Sequence, residues 1–295
     1  MDEIYVQIPA YRDSELSATL IDLYAKAEAP ERLRTHVLWQ HARGETLSYR
    51  ARRLPNLEIT AVPCEESRGC NWARNLLQAE WKGEPFTLFL DSHHRFVRHW
   101  DSTLIAMYHG LEDAGARKPM LTSYLPAYDP AREPGGRGKR PYRIHPLRRD
   151  GGILVRLTSY PIPFWTELKG PVEADFLSLH FIFAAGTLNE ELRFDPDIYF
   201  FGDEVVTGAR AFTHGYDMFH PHRIIGWHCY DRASRVPHWN DHADWHERHA
   251  RALALMRRLL TGEYKGPYGL GTERSLAEYE DRILMRLFEP CDEAA

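Results

Sequence analysis

The sequence predicts an α/β fold in which a mostly parallel, Rossmann-like sheet is flanked by helices. Three observations carry that expectation. The run Phe86-Thr87-Leu88-Phe89-Leu90 is apolar without alternation, as suits a strand buried on both faces. Shorter β-rich runs lie at 4–8, 36–40 and 58–62. Helical periodicity separates them, and strands alternating with helices imply right-handed βαβ units.

In chain order, Ile4-Tyr5-Val6-Gln7-Ile8 is the first strand, and 9–13 is a polar break. Asp13 or Ser14 is expected to cap the helix that follows, whose apolar face is Leu16, Leu20, Leu23 and Ala27. Residues 71–81 return to a helical pattern before the strand at 86–90, which ends on Asp91. A helix is expected over 101–114. Residues 129–152 are rich in proline and glycine and carry Arg132, Arg137, Lys139, Arg140, Arg143, Arg148 and Arg149, the composition of a long mobile loop. Strands at 153–157 and 176–184 and a helix at 203–214 follow. Amphipathic helices at 241–260 and 275–288 form a C-terminal extension, so the expected division is a domain over 1–239 and an extension over 240–295 packed on it.

The chain has 295 residues, enough for a full core, and its 37 basic against 42 acidic residues give a net charge of −5. That balance offers no global attraction to nucleic acid or anionic lipid. No apolar run is long enough to cross a bilayer, and the start shows no basic-then-apolar leader pattern. Cys64, Cys70, Cys229 and Cys291 lack paired CxxC spacing, so a reducing cytoplasm is the expected location.

Neither GxGxxG after the first strand nor GxxxxGK[ST] is present, so a nucleotide-binding sheet here must neutralise phosphate in another way. A divalent cation is the common alternative. Asp91-Ser92-His93 leaves the buried strand with two ligand types at i and i+2, and an imidazole favours Mn²⁺ over Mg²⁺. The same aspartate could instead cap the next helix or pair with Arg95. A third ligand must come from elsewhere, and His228 in Gly226-Trp227-His228-Cys229-Tyr230 is the choice. His242, His246 and His249 form no HExxH pattern and are read as a polar helix face. Asp203 and Glu204 follow Gly202 at a strand-to-helix transition, where they cap the helix or contact an acceptor hydroxyl or donor sugar. Arg68 and Arg74 flank the first turn of another helix and call for an anionic partner, either a nucleotide phosphate or Asp91.

Together these segments resemble the GT-A glycosyltransferases. The closer resemblance is to the cytosolic UDP-GlcNAc:hydroxyproline polypeptide N-acetylglucosaminyltransferases that modify an SCF ubiquitin-ligase subunit, with their bacterial relatives. Four blocks carry it: Ala10-Tyr11-Arg12-Asp13; Gly69-Cys70-Asn71-Trp72-Ala73-Arg74 through Asp91-Ser92-His93-His94-Arg95-Phe96; Phe194-Asp195-Pro196 with Gly202-Asp203-Glu204; and Trp227-His228-Cys229-Tyr230-Asp231-Arg232. The resemblance implies a nucleotide-sugar half at 1–128 and an acceptor half at 129–239. It implies a uridine pocket at Pro9, Ala10, Tyr11, Arg12 and Asp13, with Asp13 near the base, Arg74 near ribose or diphosphate, and Arg68 and Ser92 beside them. It further implies a DxD-type motif in Asp91 and His93, with His228 as the distal metal ligand. Glu204 matches the family's carboxylate, whereas Asp203 stands where the family usually has Glu. The implied activity is Mn²⁺- or Mg²⁺-dependent transfer of N-acetylglucosamine, with retention, from a UDP-sugar to a hydroxyl acceptor on a peptide or protein. A histidine-rich metal hydrolase and an inactive sugar- or peptide-binding module are the rival expectations.

Overall fold

In the computed structural model, residues 2–150, 152–153, 155–233 and 235–289 are described. The first half runs β1 (Ile4–Tyr11), α1 (Leu16–Lys26), β2 (Leu33–His41), β3 (Leu57–Pro63), α2 (Cys70–Ala79), β4 (Phe86–Leu90), β5 (His94–Phe96), α3 (Trp100–Asp113) and β6 (Pro119–Thr122). The second runs β7 (Tyr142–Arg149), β8 (Val155–Pro161), β9 (Val172–Glu173), β10 (Phe181–Ala185), α4 (Leu188–Glu191), α5 (Asp203–Thr213), β11 (Asp217–His220) and β12 (Gly226–His228). Helices α6 (His238–Asp241), α7 (Trp245–Leu260) and α8 (Leu276–Arg282) follow.

An eight-stranded sheet has the order β3-β2-β1-β4-β10-β6-β11-β9. It is parallel from β3 through β4 and again between β6 and β11. Strand β10 enters antiparallel to both β4 and β6. All five side chains of β4 are buried, and their alternation divides the core. Phe86, Leu88 and Leu90 join Leu20 and Leu23 of α1 and Leu104 of α3 on one face. Phe89 joins Phe194, Val205 of α5 and Met256 of α7 on the other. Burying one such side chain contributes roughly 1.5–3 kcal/mol. The C-terminal helices share that second core through Ala252, Met256, Leu259, Leu260 and Tyr279.

Several boundaries differ from the sequence expectation. Pro9, Ala10 and Tyr11 belong to β1 rather than to a break. Pairing with β4 ends at Gln7, so Pro9 sits where the strand has lost that neighbour and its missing N–H breaks no ladder on that side. Neither Asp13 nor Ser14 is the N-cap of α1: the helix starts from Glu15, whose N–H donates to Asp13 Oδ1 at 2.9 Å. The expected mobile loop contains strand β7, paired antiparallel with β8 through a bulge between Pro146 and Arg148. Three of its arginines meet acids: Arg143 lies 3.1 Å from Asp175, Arg148 2.8 Å from Asp150, and Arg149 3.2 Å from Glu289.

The strand expected from 176 begins only at Phe181. Before it, side chains take the backbone N–H groups: Ser178 N–H donates to Thr122 Oγ1 and Leu179 N–H to Glu204 Oε1. The helix expected over 241–260 is broken into α6 and α7, which leaves His242 outside α7 with its Nε2 3.0 Å from the Cys64 carbonyl. The last helix stops at Arg282 after a capping box between Ser275 and Glu278. Leu154, which falls in the strand expected at 153–157, and Cys291, with the rest of 290–295, lie outside the described residues. Among the described residues no helix is long and apolar enough to cross a membrane.

Candidate active site

Parallel pairing of β1 with β4 brings Asp13 and Asp91 to the same end of the sheet, beyond the carboxyl ends of the strands. The chain then turns from β4 into β5. Thr19 of α1 fixes that turn by donating its hydroxyl to Ser92 O at 2.8 Å and accepting the His94 N–H at 2.9 Å. Strand β12 pairs with β5 in a register that sets His228 opposite His94. A distant segment thereby delivers its histidine beside His93.

Ligand atoms of Asp91, His93 and His228 all lie within 4.8 Å of one another. Nε2 of His93 is 3.6 Å and Nε2 of His228 3.5 Å from Asp91 Oδ2. Both nitrogens are buried and have no hydrogen-bond partner, an arrangement that a cation would satisfy. One carboxylate oxygen and two imidazoles suit Mn²⁺ better than Mg²⁺. Among the described residues this is the one group of carboxylate, thiol or imidazole ligands close enough to hold an ion.

Asp13 lies behind His93, its Oδ2 2.6 Å from Nδ1 of that ring and 2.6 Å from the Ser92 hydroxyl. This hydrogen bond leaves Nε2 of His93 aimed at Asp91, the carboxylate-histidine arrangement that orients metal ligands. Burial works against the charges of Asp13 and Asp91. It is outweighed at Asp13 by the bonds from His93 and Ser92, and at Asp91 by the charges of His93 and Arg74, so both carboxyls titrate below their ordinary range. His228 is held well below the usual imidazole range by burial and by His93 and His94, so it is neutral and its lone pair is free to ligate.

A second pair of carboxylates opens α5, after Gly202 in the left-handed region at φ 93°. Asp203 Oδ1 accepts the Glu204 N–H at 2.9 Å. Both oxygens of Glu204 are engaged: Oε1 accepts the Leu179 N–H at 3.1 Å and Oε2 accepts the Tyr124 hydroxyl. Burial pushes Asp203 up to about 6 and Glu204 up to about 7. Arg74 joins the two acidic groups from below. It is buried, with one guanidinium nitrogen 3.5 Å from Asp91 Oδ1 and another 3.8 Å from Asp203 Oδ2. It also donates to Asn71 Oδ1 at 2.9 Å and Leu179 O at 3.0 Å.

A cavity of about 200 Å³ opens beside these groups. Pro9, Tyr11, Asp91, Ser92 and His93 of the expected site line it. Ala10 is buried in the core, Arg68 is exposed, and Arg74 lies beneath the floor. Arg12 turns away to Glu45 at 3.0 Å and Asp241 at 2.8 Å, and Asp13 faces His93 rather than the cavity. Other lining residues escaped the sequence reading: Tyr199, Arg235, Pro237, His238 and Trp239. The strap carrying Arg235 to Trp239 is tied down by the Val236 N–H to Arg12 O at 3.2 Å and by the Tyr11 hydroxyl to Asp241 at 2.6 Å. The run Pro237-His238-Trp239, with two aromatic rings close behind the block that carries His228, is the signal that could have marked it.

A family model described as Glycosyltransferase (GlcNAc) matches residues 3–55 and 46–286. No curated protein matches the sequence. Among solved structures, the chain is similar to GalNAc-T7 with UDP, GalNAc and Mn²⁺, at a TM-score of 0.61 and 13% identity over 96% of this chain and 55% of that one. It is also similar to S. aureus TarS, at 0.58 and 14% identity over 96% of this chain and 42% of that one. TarS 1–349 in complex with UDP-GlcNAc gives 0.56 and 15% identity over 96% of this chain and 70% of that one. The chain thus spans about half the length of the first two. At these identities the likeness is one of fold, and it establishes the GT-A type sheet expected from the sequence.

Proposed function

The chain belongs to the Glycosyltransferase (GlcNAc) family, and from that premise we propose that it transfers N-acetylglucosamine from UDP-GlcNAc to a hydroxyl acceptor on a peptide or protein, with retention. One observation carries the donor-site reading: Asp91, His93 and His228 converge at the end of β4 with two buried, unpartnered nitrogens, beside a cavity lined by Pro9 and Tyr11. The UDP and Mn²⁺ bound by GalNAc-T7 and the UDP-GlcNAc bound by TarS support the choice of ligands. The resemblance to hydroxyproline-modifying transferases supports the acceptor class.

In this reading Asp91, His93 and His228 hold the cation, and Asp13 holds His93. A divalent cation bound there neutralises charge that grows on the diphosphate as the anomeric bond breaks. Pro9 and Tyr11 line the nucleoside side of the cavity. Arg74 keeps Asp91 and Asp203 ionised and fixed, so its action on the diphosphate is indirect. Asp203, with Oδ2 free of short hydrogen bonds, is the carboxylate that meets the acceptor or donor sugar, and Glu204 braces the start of α5. A catalytic domain over 1–239 with a helical extension over 240–295 packed on it is part of the proposal, and the shared core of α7 and α8 with the sheet supports the packing. Cys64, Cys70 and Cys229 are free thiols, which supports a reducing, cytoplasmic setting.

The test is UDP release from a panel of UDP-sugars with Mn²⁺ present, followed by mass spectrometry of hydroxyproline peptides and lysate acceptors. UDP-GlcNAc should turn over fastest. Binding of UDP with no turnover of any sugar nucleotide would favour the inactive binding module, and hydrolysis that needs no sugar nucleotide would favour the hydrolase.

A further inference from the structure

We infer that His180 is a positioning residue for the metal centre, setting the ring plane of His228 by stacking on it. The inference rests on the reading of His228 as a metal ligand.

The two ligand histidines are held differently. His93 has its ring fixed by the hydrogen bond to Asp13, the usual device for orienting such a ligand. His228 has no such bond: neither of its ring nitrogens has a partner. Its backbone is pinned, the N–H donating to Pro126 O at 3.0 Å and the carbonyl accepting from Tyr128 N–H at 3.2 Å. That leaves rotation about the side-chain bonds to be restrained by contact alone. His180 supplies a near-parallel face, with ring centroids 4.1 Å apart and planes 17° apart. The other rings around His228, those of His93, His94 and Tyr230, meet it at 54–67° and bound its edges without setting its plane.

His180 is itself immobilised. Its Nε2 accepts the Leu125 N–H at 3.2 Å, which makes Nδ1 the protonated nitrogen, and Nδ1–H donates to Ser178 Oγ at 2.9 Å. Tyr124 packs on its far side, 5.5 Å away and 18° from parallel. His180 and Tyr124 each lie two residues beyond the last β10–β6 pair, Ile182 with Thr122, so the end of that ladder brings the two rings together. Tyr124 in turn donates to Glu204. Three stacked rings therefore run from the carboxylates of α5 to the ligand His228. A neutral ring face also suits a partner ring that becomes electron-poor when its nitrogen binds a cation.

The test compares His180→Phe with His180→Leu. Both fill the space and both strand the Leu125 N–H, so they differ in whether a flat ring lies against His228. Binding of Mn²⁺ alone is read from loss of the free-ion electron paramagnetic resonance signal, with thermal melts to show that each variant is folded. His180→Leu should bind Mn²⁺ about 10–100-fold more weakly than His180→Phe, the range found when an orienting partner of a ligand is lost. Equal affinities for the two variants, with binding abolished in His228→Ala, would overturn the role of His180 and leave the metal centre standing. Undiminished binding by His228→Ala would overturn both.

Discussion

The carboxylate of Asp13 and the imidazole of His93 sit 2.6 Å apart, on the side of the ring away from Asp91. Asp13 is thus placed to orient His93 in the proposed cation site, whereas the resemblance implies a place near the base. Asp13→Ala should weaken Mn²⁺ binding by about 10–100-fold, and Asp13→Asn, which keeps an acceptor, by less. Calorimetric titration with Mn²⁺ checks this, and unchanged affinity in Asp13→Ala would remove the orienting role.

Removing metal with a chelator should abolish turnover, and Mn²⁺ should restore more of it than Mg²⁺ because two of the three ligands are nitrogen. His93→Ala and His228→Ala should each lower kcat/KM by roughly 10²-fold or more, the scale of a few kcal/mol of transition-state stabilisation. Full metal-dependent turnover by His93→Ala would show that the ligand has been misassigned.

Burial raises Asp203 to about 6 and Glu204 to about 7, the charge of Asp203 adding to the shift at Glu204. Between the ordinary carboxyl range and those values the folded protein keeps protons that the unfolded chain has released. The contribution of these two carboxyls to the stability of the metal-free protein should therefore fall as pH rises from 5 toward 7 and level off above it, opposite in sign to that of the buried neutral His94, His180 and His228. Glu204→Gln should remove the Glu204 share, so that the change in stability between pH 5 and 8 differs from that of wild type by on the order of 2–3 kcal/mol. Urea unfolding at both pH values measures it; parallel slopes for wild type and variant would contradict the shift.

Two glycines should respond oppositely to alanine. A Cβ on Gly186 would lie 1.9 Å from the Glu84 carbonyl and 2.8 Å from Trp81 Nε1, so Gly186→Ala should destabilise by about 1–3 kcal/mol or more. Gly110, inside α3, has open space around that position, so Gly110→Ala should stabilise by roughly 0.5–1 kcal/mol. Thermal melts decide both, and a neutral Gly186→Ala would mean that the 84–86 turn moves freely.

Local pattern announced what local forces determine. The unbroken apolar run of β4 and the ligand pair leaving its end were legible because burial and strand termination act over a few residues. The paired carboxylates after Gly202 were visible for the same reason. Strand β7 was hidden because its long arginines, neutralised by Asp175, Asp150 and Glu289, mask the alternation around the buried Ile144. The sequence leaves the partner of Arg74 open between a nucleotide phosphate and Asp91, because Asp91 and Asp203 arrive from other elements; the structure sets it beside both carboxylates. His180 and Tyr124 left no local mark at all, since only the antiparallel insertion of β10 beside β6 brings them face to face.

The strap from Arg235 to Trp239, which lines the cavity together with Pro9 and Tyr11, also bears on biosynthesis. While the chain is still emerging from the ribosome, the strands from β1 to β4, with Asp91 and His93, come out before His228 and the strap. A nascent chain that has not yet exposed Trp239 therefore has no enclosed place to retain a donor. Ligand binding can stabilise the finished molecule but cannot guide the early stages of its folding.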